Sequence, residues 1–209
     1  MKDDTIGGSL SDAACEGRAE EVRRLLDAGG VDYVDAVYRD KEWHTALHIA
    51  SMEGHGDCVR LLLDAGANFS TLLRASHLAL HLAAESGREG VVKILLEAGA
   101  GEDTSNSSLE RTPLHEASRT GHAGVVKLLL DAGADKNAGS PTCPEGAALH
   151  MAAAQNHESI VAMLLECGAD AEAVNEGGRT PLHQAARVHR LEVARMLLGA
   201  GAKVTKPCT

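Results

Sequence analysis

Residues 112–135 read "TPLHEASRTGHAGVVKLLLDAGAD". Taken alone, His115, Glu116 and His122 are the ingredients of a zinc hydrolase. The rest of the chain decides otherwise, because the stretch is one copy of a repeated unit. "ALHIASMEGH" (46–55), "ALHLAAESGR" (79–88), "PLHEASRTGH" (113–122), "ALHMAAAQNH" (148–157) and "PLHQAARVHR" (181–190) align without gaps. Their leading histidines, His48, His81, His115, His150 and His183, stand 33, 34, 35 and 33 residues apart. Each copy runs on into an apolar segment closed by glycine, such as "VRLLLDAGAN" or "VKILLEAGAG". An earlier, degenerate copy, "SLSDAACEGRAEEVRRLLDAGG" (9–30), has Ser11 in place of the histidine.

Each unit encodes two short helices. Thr112 suits an N-cap, with Pro113 at the first helical position, where its missing N–H costs nothing. Gly121 and Gly133 then close the first and second helix. Helices of this length are marginal alone in water, so Leu114, Ala117, Val125, Val126, Leu129 and Leu130 need burial against neighbouring units.

The period and the tetrapeptides Thr112-Pro113-Leu114-His115 and Thr180-Pro181-Leu182-His183 resemble the ankyrin repeat. The other copies depart from the signature, with Thr45-Ala46, Leu78-Ala79 and Ala147-Ala148 before their Leu-His. The resemblance implies an all-α solenoid of helix-turn-helix units joined by β-turn or hairpin-like loops. Its repeats span approximately 9–38, 39–71, 72–104, 105–138, 139–173 and 174–204, as a single domain between a flexible N-terminus (1–8) and a C-terminal tail (205–209). It also implies a structural role for His48, His81, His115, His150 and His183, whose imidazoles tie adjacent repeats. Leu78 and Ala147 lack the threonine hydroxyl, so His81 and His150 are expected to be less well tied.

The repeat removes the metal reading. Two zinc-binding histidines on a helix sit one turn apart, whereas His115 and His122 are seven residues apart across Gly121. The positions equivalent to His122 are His55, Arg88, His157 and Arg190, and a guanidinium is no zinc ligand. Neither a metal nor another cofactor is expected. "DKNAGSPTCPEG" (135–146) lacks the ligands of a calcium loop, and "GAGAKVT" (199–205) lacks phosphate-loop spacing. Asn137 occupies the turn asparagine that is hydroxylated in some ankyrin proteins.

Composition narrows the function. The 209-residue chain is 44% hydrophobic with one Trp, two Tyr and one Phe, so its core is aliphatic. A net charge of −10 disfavours general nucleic-acid or anionic-membrane binding. Cys15, Cys58, Cys143, Cys167 and Cys208 form no C-x-x-C pair. That suits reduced thiols in the cytoplasm or nucleus, with those on helices small and buried. No apolar leader or roughly 18-residue apolar span occurs.

The expectation is a non-catalytic protein-interaction module, an adaptor, scaffold or inhibitor, working through the turn tips and the exposed side of each first helix. The alternatives are a targeting or substrate-receptor segment of a larger regulatory complex and, in another class, a metal-dependent enzyme. Aligned on the motif histidine, the contact positions are His44, Met52, Glu53, His77 and Glu85, followed by Arg111, Arg119, Arg179 and Arg187. The arginines suit a partner with an acidic or phosphorylated segment. Trp43, Tyr33 and Tyr38 lie in a connection four residues longer than the next, which reads as a contact finger or a pinned insertion. The first repeat, rich in Glu20, Glu21, Arg23 and Arg24, reads as a cap, whereas the sixth looks internal and open to self-association.

Overall fold

A computed structural model describes residues 4–37, 44–68, 78–101, 111–139 and 144–204. Among them are twelve α-helices, a single 3-10 turn and no strand. Contacts divide the chain into two units, Met1–Gly101 and Glu102–Thr209.

The first unit contains α1 (Asp4–Cys15), α2 (Ala19–Asp27), a 3-10 turn (Gly30–Tyr33), α3 (Ala46–Glu53), α4 (Gly56–Asp64), α5 (Ala79–Glu85) and α6 (Glu89–Glu97). The second contains α7 (Pro113–Thr120), α8 (Ala123–Ala132), α9 (Ala148–Gln155), α10 (Glu158–Glu166), α11 (Pro181–Arg187) and α12 (Leu191–Gly199). In each unit the odd-numbered helices pack in one row and the even-numbered helices in another. The core lies between the rows. Leu47, Leu62 and Leu95 are fully buried in the first unit, and Leu114, Leu129, Leu149, Leu164 and Leu197 in the second. Each such leucine contributes about 1.5–3 kcal/mol, which helices of seven to twelve residues cannot supply alone. The odd row is buried nearly all round, as Ala46 to Ser51 show, because its alanines let neighbouring helices approach closely.

Helix ends explain the recurring glycine and the residue after it. Gly54 and Gly121 cap α3 and α7 in the left-handed region, with φ of 90° and 91°. A Cβ at Gly54 would come within 2.8 Å of Arg88 Cδ, and one at Gly121 within 2.6 Å of His157 Cε1. Those side chains lie over the missing Cβ to reach the orphan carbonyls at the preceding repeat's helix end. Arg88 Nε donates to Met52 O (2.9 Å) and His157 Nε2 to Arg119 O (3.2 Å). His55 Nε2 does the same to Cys15 O at 3.0 Å, above Gly17. Histidine and arginine are interchangeable at this position in that each supplies a long-reaching N–H donor, as His55, Arg88 and His157 show.

The structure corrects two expectations. Helix α1 begins at Asp4, inside the stretch read as a flexible N-terminus, and runs through Gly7 and Gly8. Adding residues to a formed helical turn costs far less than nucleating one. The described thiols are also not uniformly buried: Cys58 is, but Cys15 and Cys167 are exposed where they end α1 and cap α10. In the long first connection, Asp35 Oδ1 accepts from Asn68 N–H at 2.9 Å and Tyr33 is half-buried, while Tyr38 and Trp43 lie outside the described residues.

Candidate protein-binding groove

The motif histidines sit at the start of α3, α5, α7, α9 and α11. His115 Nδ1 accepts from Thr112 N–H (3.0 Å) and from the Thr112 hydroxyl (2.8 Å). His183 repeats the pattern on Thr180 at 3.2 and 2.8 Å, and Thr45 Oγ1 lies 2.8 Å from His48 Nδ1. Histidine thus takes the place of the acid in a capping box. With Nδ1 accepting, Nε2 carries the proton and points to the next turn. His150 Nε2 donates to Arg179 O at 2.9 Å; the His115 ring faces the backbone carbonyls of Ala138 and Gly146, but its Nε2 closes no hydrogen bond there. Ala147 offers no hydroxyl, and His150 Nδ1 is left without a hydrogen-bond partner, so this imidazole is held from the Nε2 side. Burial, the largest influence, pushes the pKa of His115 down to about 4 and also lowers that of His150. Both rings are therefore neutral at pH 7. Among the described residues, no cluster of three or more His, Cys, Asp or Glu could hold a metal ion.

The turn ahead of α11 is built by Asn175. Its N–H donates to Arg179 O, its Oδ1 accepts from Arg179 N–H, and its Nδ2 donates to Pro144 O, at 2.9 to 3.0 Å. These bonds make a hairpin-like tip that presents Arg179. Asn137, in repeat four, has its Oδ1 occupied by the N–H of Asp170 at 3.0 Å.

Beside this tip the second unit opens a groove of about 270 Å³. Met151 and Ala154 of α9 form its floor, Arg119 of α7 stands on one side, and Arg179 and Arg187 stand with Gln184 on the other. The four arginines are not equivalent. Arg111 is only 13% exposed and pairs with Glu116 (3.5 Å) and Glu145 (2.5 Å). Arg119 Nε and Nη2 both lie 3.0 Å from Glu116 Oε2, and Glu116 is 1% exposed. Arg111 and Arg119 are therefore committed to carboxylates of the chain itself. Arg179 and Arg187 are exposed, and the bond seen for Arg187 is from Nε to the neutral Gln184 Oε1 at 3.2 Å.

Other expected contact residues are distributed differently. His44 is a correction: it is 5% exposed, its ring 6.2 Å from that of His48, because the residue before the capping threonine turns inward in this repeat. Met52, Glu53 and Glu85 are half-buried in the first unit, and the Met52 carbonyl is taken by Arg88. Trp43 and His77 lie outside the described residues. Gln184, Asn175 and Glu145 are the groove residues that the repeat alignment missed. Glu116 carried a signal, being the acid where other repeats have Ile49, Leu82, Met151 and Gln184.

Comparison with known proteins places this architecture. The sequence model described as "Ankyrin repeats (3 copies)" matches residues 9–72, 70–140 and 137–208. The chain belongs to the ankyrin-repeat family. Its fold is similar to that of the human ASB11 ankyrin repeat domain, with a TM-score of 0.83 and 29% identity over 96% of this chain and 86% of that one. Curated relatives share shorter stretches. Serine/threonine-protein kinase 12 of Arabidopsis thaliana is 44% identical over 61 residues, and cortactin-binding protein 2 of Oryctolagus cuniculus 41% identical over 58. Those stretches are 29% and 28% of this ankyrin chain but only 12% and 3% of the two relatives. Ankyrin repeats are generally protein-protein interaction modules, and the fold is typically non-catalytic. No described helix is long and apolar enough to cross a membrane.

Proposed function

We propose that this ankyrin chain is a non-catalytic adaptor, scaffold or inhibitor inside the cell that holds a partner protein in the groove of repeats four to six. The observation that supports this most is the contrast between the groove's two sides. One side holds Arg119 on the chain's own Glu116, while on the other Arg179 and Arg187 are exposed with no carboxylate paired to them among the described residues. Exposed guanidinium groups at the edge of a groove are frequent anchors of protein interfaces. The turns of repeats five and six are bonded to each other through His150 and Asn175 before a partner arrives, which pre-organises that side of the groove.

Photo-crosslinking tests this reading. A crosslinking residue placed at Gln155 in the groove is expected to capture a protein that the same residue at Glu20, on α2, does not. The captured protein, produced separately, should bind the intact chain and lose at least about tenfold in affinity on Met151→Arg, equivalent to 1.4 kcal/mol. Equal capture from both positions, or unchanged affinity for the Met151→Arg chain, would overturn the groove.

A further inference from the structure

Repeats four and six carry the same residue pattern around the motif histidine, with one difference. Arg111, Glu116 and Arg119 surround His115 at the sequence offsets at which Arg179, Gln184 and Arg187 surround His183. In repeat four the two arginines close on the Glu116 carboxylate. In repeat six Arg187 makes the corresponding contact from Nε, but to an amide oxygen, and Arg179 stays exposed. From this internal template we infer that Arg179 and Arg187 form a seat for one carboxylate, supplied by an acidic side chain of the partner protein. The inference rests on the groove being the binding face and names what the groove recognises.

Three observations support it. First, repeat four shows that this backbone spacing brings two guanidinium groups onto a single carboxylate, at 3.0 and 3.5 Å. Second, Gln184 is 8% exposed and its Oε1 faces Arg187 Nε, which fixes the amide orientation and leaves its NH2, a donor, as the remaining polar end. A carboxylate accepts from guanidinium and amide donors, whereas a partner lysine would meet only like charge. Third, the acids Glu145 and Glu116 on the repeat-four side are already occupied. Glu145 is held by Arg111 and Glu116 by Arg111 and Arg119, so neither neutralises the repeat-six pair. The intervening repeat leaves the way open, with Gly146, Met151 and Ala154 where repeat four has Arg111, Glu116 and Arg119.

The template also supplies the test, because Gln184→Glu should make repeat six occupy its own seat as repeat four does. A random dodecapeptide display library would be selected on the intact chain and the enriched peptides synthesised. These are expected to share an Asp or Glu at one aligned position and to lose at least about tenfold in affinity on Gln184→Glu. The Arg179→Ala, Arg187→Ala double variant should lose as much, and because both residues are exposed it tests the seat even where Gln184→Glu impairs folding. Replacing the peptide's acid with Ala should cost a similar factor on the wild-type chain and little more on either variant. Peptides abolished by Met151→Arg yet changed less than twofold by the seat variants would leave the groove standing and overturn the carboxylate seat. Peptides indifferent to Met151→Arg, or no enrichment at all, would overturn the groove reading and the seat with it.

Discussion

Lowering the pH from 7 to 5 should weaken the fold measurably through His115. Its imidazole is buried, and Nδ1 accepts two bonds from Thr112, so a proton there must displace donors already aimed at the nitrogen. Desolvation is the main reason its folded pKa lies near 4 rather than 6.5; Glu116 offsets part of the effect and Arg111 adds to it. The unfolded chain therefore binds the proton more readily. This stabilisation is nearly complete above 6.5 and is lost as the pH falls through the window down to 4. Integrating between those values gives a loss of about 2 kcal/mol by pH 5 and about 3 kcal/mol by pH 3. His150, lowered by the same cause, adds a loss of the same sign. Urea unfolding followed by circular dichroism at both pH values measures the sum. His115→Asn isolates the first part, since its amide oxygen can accept from Thr112 and does not titrate. The variant should be less stable at pH 7 but lose about 2 kcal/mol less than wild type between pH 7 and 5. An equal loss in the two proteins, or an NMR titration of the His115 ring centred above pH 6, would refute the reasoning.

Three further predictions probe the ties between repeats and the ion cluster within repeat four. Gly121→Ala should cost clearly more than Gly99→Ala in thermal unfolding. Both glycines have φ near +90°, for a strain of about 1–2 kcal/mol, but only at Gly121 would the added Cβ also strike His157. Arg88→Met should cost about 1 kcal/mol by releasing the Met52 carbonyl, and Arg88→His should recover most of it, since His55 and His157 make that bond elsewhere. Arg119→Ala should cost about 2 kcal/mol, less than a fully broken buried pair because Arg111 still faces Glu116. Adding Glu116→Gln should restore part of that loss, and a double-mutant cycle by urea unfolding reads the coupling.

The architecture was legible because the features that build it recur. The histidine period, the left-handed turn residue before each second helix, glycine in four copies and Asn156 and His189 in the last two, and the apolar run after it recur, and each sets backbone geometry. The His55, Arg88 and His157 series illustrates what repetition hides. Comparing these residues argued against a metal, but the property they share, a donor long enough to reach the previous helix end, becomes apparent only when the carbonyl is in place. The groove was less legible for a related reason. Arg111 and Arg179 align perfectly, yet one is nearly buried and the other exposed, because their surroundings depend on Glu116, Gln184 and Glu145, none of which the repeat requires. His44 is buried for the same reason, its environment set by His48 and its neighbours rather than by the offset from the motif.

Repetition also offers a route by which such a surface can change without disturbing the fold. Residues that shape a repeat's own turns, such as Thr112, His115 and Gly121, act largely through backbone groups. The residue after the motif histidine has no backbone duty, and it varies among Ile49, Leu82, Glu116, Met151 and Gln184. Exchanging Glu for Gln there alters volume little but changes the charge by one. In repeat four the acid draws two arginines inward and contributes to stability. In repeat six the amide satisfies one Arg187 donor and leaves both positive charges facing the groove. Gln184→Glu should accordingly raise the stability of the free chain while weakening its hold on an acidic partner, whereas Glu116→Gln should do the reverse in repeat four. Opposite signs in the two measurements would distinguish a recognition site from a structural ion pair.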